Sequence, residues 1–159
     1  MNENDYSAIT LDMWKTSIIC SGKIKASPYL DLQNEYCKRI LPSPHIVEII
    51  PKNGCSDNAN QKILSTLKSD LPLFVLDETG INLKSEGFTN LIEHYVNTKS
   101  QPIQFVIGPS DGVNEEIRSK ADELISFGKM TWPHLLSRIL LLEQIYRAQT
   151  ISTGHPYHK

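Results

Sequence analysis

The stretch PLFVLD, residues 72–77, is short, apolar from Leu73 to Leu76, and closed by an acidic residue. A run of this length without alternation predicts a strand covered on both faces, as in a parallel sheet flanked by helices. PIQFVIG, residues 102–108, repeats the pattern, and TSIICS, residues 16–21, is a third such run. Outward from these, SPHIVEIIP predicts another strand closed by Pro51, and LISFGKMT, beginning at Leu124, holds a short fifth strand. Between them lie stretches of helical spacing. PYLDLQNEYCKRIL places Leu30, Tyr36, Cys37 and Ile40 on one face, and NANQKILSTLKSD turns Ile63, Leu64 and Leu67 inward. Ser85 is placed to cap a helix running to about Asn97, and Asn114 to cap a short one. ETGINLKSEG is read as a loop, and Pro133 opens the longest helix, to about Ala148. The order β-α-β-α-β-α-β-α-β-α implies an α/β fold, a mostly parallel sheet with helices on both faces. Ligands bind beyond the carboxyl ends of such strands, which nominates the loops after Leu76, after Ile107 and around Gly128–Trp132.

The 159 residues suit one domain, and 40% apolar with 21% charged residues reads as an ordinary soluble protein. Met1 to Lys15 is polar and acidic without an apolar h-region, so it is read as a flexible extension and not a secretory signal, with residues 16–159 as the single domain. No apolar run is long enough for a membrane span. Cys20, Cys37 and Cys55 form no CxxC, which predicts reduced thiols in a cytoplasmic protein without a metal. The formal net charge of -2 excludes a strongly basic nucleic-acid binder. Contact with RNA then needs locally gathered charge or recognition by shape.

The last helix, HLLSRILLLEQIYRAQTIS, has apolar residues on more than one face, so it is covered on two sides. Two readings stand: a second subunit covers one side, the preferred one, or the helix is sandwiched within the monomer. After it comes GHPYHK, residues 154–159, with two histidines, a tyrosine and a lysine in a segment that is ordinarily frayed.

MTWPHLLSRILLLEQIYRAQTISTGHPYHK, residues 130–159, resembles the carboxyl end of the RlmH family, SPOUT-class methyltransferases of large-subunit ribosomal RNA. Further matches are GK at Gly22–Lys23, EYCKRI at Glu35–Ile40, LDETG with KSEG, FVIG at Phe105–Gly108, and SFGKMTWPH. They follow the family's order from Thr16 to the last residue. The resemblance implies a SPOUT fold whose carboxyl-terminal part is threaded into a trefoil knot, working as a homodimer in the cytoplasm. It implies S-adenosyl-L-methionine (SAM) as cofactor, the ribosome with its 23S rRNA as partner, and methylation of N3 of a pseudouridine. The implied cofactor contacts are Leu76, Gly108, Phe127, Gly128, Lys129, Met130, Thr131 and Trp132. One departure stands out: in IGPSDG, Pro109 takes the place of the second of two adjacent family glycines, removing an N–H and fixing φ.

A pseudouridine imide must lose a proton as it is methylated, and a neutral histidine can accept one. The tail supplies His155 and His158 as acceptors or phosphate ligands, Tyr157 for stacking on a base, and Lys159 and Arg147 as cations, with Arg138 a further cation. Simpler readings stand beside these. His155 and His158 have no third partner for a metal. Glu143 and Arg147 suit a plain i,i+4 ion pair, and His134 a cap or packing residue. Two alternatives to this activity remain: a non-catalytic ribosome-binding or assembly protein on the same scaffold, and a SPOUT methyltransferase with another RNA target.

Overall fold

In a computed structural model, residues 14–99 and 102–158 are described, the side chain of His158 excepted. Residues 1–13, most of the expected extension, and Lys159 lie outside them. Five strands, β1 (Thr16–Ser21), β2 (His45–Ile49), β3 (Leu73–Asn82), β4 (Ile103–Ile107) and β5 (Glu123–Ser126), form one sheet. Its order is β2-β1-β4-β3-β5, and every pairing is parallel. The helices are α1 (Pro28–Arg39), α2 (Ser56–Thr66), α3 (Ser85–Thr98), α4 (Glu115–Lys120) and α5 (His134–Ser152).

The wholly apolar runs are what a two-faced sheet requires. Along β4, Phe105 points into the cluster with Phe74, Phe88 and Ile92, while Val106 joins Val75, Ile63 and Ile117 on the opposite face. Successive side chains of a strand thus feed two cores. Trp14, assigned from sequence to the extension, is buried in the first of these cores, so ordered packing begins before Thr16. Buried Gln104 pins the chain leading to β3: its Oε1 accepts from the Lys68 N–H (2.9 Å) and its Nε2 donates to the Lys68 carbonyl (2.8 Å).

Two local expectations are corrected. ETGINL is not all loop, because β3 runs on to Asn82. Both Leu76 and Ile81 align with Ile125 of β5, and residues 77–80 bulge out between them. Gly80 makes this possible: a Cβ there would stand 2.5 Å from the backbone of Leu124 and Ile125. Ser85 is not the cap of α3 but its first residue, and its hydroxyl donates to Gln144 Oε1 of α5 (2.9 Å). Asn114 does cap α4, accepting from the Ile117 N–H at 3.1 Å.

Helix α5 packs between α1 and α3 on one face of the sheet, burying Ile139, Leu141, Leu142, Ile145 and Ala148. Buried Gln149 bonds both the N–H (3.0 Å) and the carbonyl (2.8 Å) of Leu41. Much of the two-sided apolar pattern is therefore satisfied within one chain, and the pattern by itself does not demand a second subunit.

Candidate functional site

The three nominated loops converge. The carboxyl ends of β4, β3 and β5, neighbours in the sheet, open into one cleft of about 460 Å³. That volume is in the range of small-molecule sites. Apolar walls come from Leu76, Ile107, Ile125 and Phe127. Gly108, Pro109, Ser110 and Gly112 form one rim; Gly128, Met130, Thr131 and Trp132 form another; Pro133, His134 and Ser137 close it at the start of α5. Seven of the eight cofactor residues named from sequence line this cleft; Lys129, exposed, is not among the lining residues.

Each rim is held by its own bonds. Ser126 Oγ donates to the Gly128 carbonyl (2.8 Å) and accepts from the Gly128 N–H (3.2 Å), while Gly128 adopts φ +109°. Trp132 Nε1 donates to the Phe127 carbonyl at 3.2 Å. Met130 is nonetheless 71% exposed, an apolar side chain in solvent beside an apolar cleft. In the opposite rim, the Pro109 carbonyl accepts from the Gly112 N–H (2.9 Å), making a turn whose Asp111 accepts from Ser56 Oγ (2.7 Å). Gly108 serves its own loop, since a Cβ there would lie 2.7 Å from Val113 Cγ1. Gly112 supplies the positive φ, +82°.

The β3 bulge adds carboxylates that sequence reasoning did not assign to the site. Asp77 accepts from the N–H (2.9 Å) and hydroxyl (2.7 Å) of Thr79 and pairs with Arg118, which also donates to Thr79 Oγ1 at 2.8 Å. Burial alone would raise its pKa, but the Thr79 and Arg118 contacts outweigh it and hold Asp77 below the usual carboxylate range. Glu78 lines the cleft beside it, exposed. The one signal in the sequence was Gly80, a residue that permits close backbone approach but does not by itself mark a bulge in a polar stretch.

His134 also lines the cleft, at the first position of α5. Its ring covers Gly22, where a Cβ would meet Nε2 at 3.1 Å and where φ is +88°. Desolvation, then the charge of Arg138, holds its pKa below the ordinary histidine value. Arg138, expected as an RNA-facing cation, is instead fully buried. It donates to Glu48 Oε1 (2.6 Å), to the Gly22 carbonyl (2.8 Å) and to Gln33 Oε1 (3.2 Å). The Gly22–Lys23 match thus has a structural basis: Gly22 is a left-handed turn clamped between Arg138 and His134.

The tail residues lie elsewhere in the protomer. At 1.5 Å per residue, Gly154 is about 30 Å along α5 from His134. The tail folds back as a turn of 3-10 helix (Pro156–His158) onto α5. Tyr157 meets Tyr146 edge-on (centroids 4.7 Å), lies under the Arg147 guanidinium (5.0 Å), and donates to Glu143 Oε1 at 3.4 Å. Arg147 forms the anticipated i,i+4 pair with Glu143 (2.6 Å). None of the described tail residues is among those lining the cleft of the same protomer. Among the described residues no group of three or more His, Cys, Asp or Glu side chains is arranged for a metal, and no helix is long and apolar enough to cross a membrane.

An all-parallel sheet with a glycine-bounded cleft beyond three neighbouring strand ends defines a class of α/β ligand-binding enzymes. The match to known proteins narrows it: residues 14–158 match the family described as "Predicted SPOUT methyltransferase". The chain belongs to the SPOUT methyltransferase family. It is 39% identical over 147 residues to a ribosomal RNA large subunit methyltransferase H of Paramagnetospirillum magneticum, covering 89% of this chain and 97% of that one. Proteins of the same name from Ruegeria pomeroyi (35%; 91% and 99% covered) and Rhodospirillum centenum (37%; 92% and 98%) are similarly alike.

Proposed function

We propose that the protein is a SAM-dependent methyltransferase of large-subunit (23S) ribosomal RNA, acting on N3 of a pseudouridine, as a cytoplasmic homodimer. The observation that carries this reading is the convergence of the three loops on one cleft, in a chain of this family with relatives so named. The residues present fit the cofactor. Leu76, Ile107 and Phe127 offer apolar surface to a purine, rim backbone groups offer its edge partners, and Glu78 suits ribose hydroxyls or an ammonium group. Pro109 contributes only its carbonyl, already accepting from Gly112, so the change of glycine to proline leaves the loop closed. Bound there, the cofactor supplies an electrophilic methyl group.

The dimer is supported by apolar surface next to the cleft. A groove of about 330 Å³ shares Phe127 and Trp132 with it and continues over Phe88 and Leu140, flanked by exposed Ile81. A copy packed there with α5 antiparallel would bring its Tyr157, His155, His158 and Arg147 to this cleft, which the protomer's own tail does not reach. The tail then places the RNA. The knot threading of the carboxyl-terminal part, and the division into an extension and one domain, belong to the same proposal. The test is transfer of labelled methyl groups from SAM to large ribosomal subunits, with the modified base identified by mass spectrometry. Incorporation at a pseudouridine supports the reading. Incorporation only into transfer RNA, or none, replaces it with another RNA target or with a non-catalytic scaffold.

A further inference from the structure

We infer that His134 is the group that takes the imide proton from the base as it is methylated. This rests on the proposed function.

Among the described residues His134 is the only histidine lining the cleft. The residues there able to accept a proton are few. Asp77 is committed to Thr79 and Arg118. Glu78 stands exposed to solvent on the open β3 bulge. The histidines and tyrosine of the tail belong to the opposite end of α5 and reach a cleft only by crossing to a second protomer. His134 is fixed on the cleft's own scaffold: its backbone begins α5, and its ring lies over Gly22.

The surroundings keep this imidazole neutral and ready to accept. On its own helix Arg138 stands one turn away, a buried cation tied to Glu48 of β2 and to the Gly22 carbonyl. Behind Arg138, the buried Cys20 thiol stands beside it and Lys23 beside Glu48, and Asp77 and Glu78 of β3 line the same cleft as His134. The positive end of the α5 dipole acts in the same sense as Arg138, against a second positive charge. In the step, the N3–H bond breaks and its proton passes to an imidazole nitrogen. The N3 electron pair forms the bond to the methyl carbon, and the methyl–sulfur pair leaves with sulfur, turning a sulfonium into a thioether. The imidazolium then returns its proton to water.

The test uses the full chain and large ribosomal subunits. For His134→Gln the expected kcat is lower by about 10²–10⁴. KM for the subunit and the SAM affinity measured by calorimetry stay at wild-type values, and added imidazole restores part of the rate of His134→Ala. In the unliganded wild type, NMR titration shows His134 charging only below the ordinary histidine range. An unchanged kcat in His134→Gln overturns the inference, as does a loss of rate matched by an equal loss of SAM affinity, which marks a packing role. A His134 that is already charged at neutral pH overturns it too. A wild type that methylates no RNA removes the proposed function and this inference with it, whereas an active wild type with an active His134→Gln removes the inference alone.

Discussion

Arg138 is the residue with the largest consequence for its size. A fully buried guanidinium is tolerated because Glu48, Gln33 and the Gly22 carbonyl meet it, although its Nε has no partner. Replacing it with Met removes the cation and leaves Glu48 facing apolar surroundings. Removing one partner of a buried pair costs about 3–5 kcal/mol, and Glu48's partial exposure puts the expected loss near the lower value, about 3 kcal/mol in urea unfolding. Gly80→Ala should cost about 1–3 kcal/mol, because its Cβ would overlap β5 backbone that has nowhere to go. Thiol chemistry offers a third check. Cys55 is exposed, Cys37 half-buried, and burial pushes the Cys20 thiol up to about 11. Alkylation followed by mass spectrometry should label Cys55 first and Cys20 only on unfolding. Since the folded chain holds the Cys20 proton more tightly than the unfolded one, its contribution to stability is complete below about pH 8.5 and declines as pH rises towards about 11. The role of Cys20 as core was legible from its apolar run, but that of Arg138 was not. A cation one turn into an amphipathic helix looks the same whether it faces solvent or a carboxylate brought from ninety positions earlier.

At the scale of elements, the strands were the most legible part, because a strand buried on both faces writes itself as an unbroken apolar run. What sequence could not supply was the re-entry of β3 at Ile81, which depends on β5 lying alongside. Helix α5 was legible as covered on two sides, but composition does not say by what, and α1 and α3 supply much of the answer. The tail shows the same limit: its histidines and tyrosine are plain in the sequence, while their distance from the cleft is set by the length of α5. Deleting residues 154–159 removes the Tyr157 contacts on Tyr146, Arg147 and Glu143. These are surface contacts, so a loss of about 1 kcal/mol is expected from the edge-on ring pair. SAM affinity should be retained, whereas methyl transfer to ribosomes should fall sharply if the tail places RNA. Calorimetry and the transfer assay on one preparation separate the two effects.

For the whole molecule, a net charge of -2 does not supply a broad electrostatic grip on RNA, and the proposed function leaves recognition to shape and to a second copy. Light scattering should give twice the 18.0 kDa chain mass, and Trp132→Glu, which puts a charge into the groove, should shift it towards the single-chain value. The central claim is that the three-loop cleft holds the methyl donor. Its most direct test is calorimetric titration of the purified protein with SAM, beside a Thr131→Trp variant that fills the cleft from an exposed lining position. The account predicts saturable binding of one SAM per chain, abolished in a variant that still folds. Absence of binding with and without large ribosomal subunits, or equal binding by the variant, would contradict it.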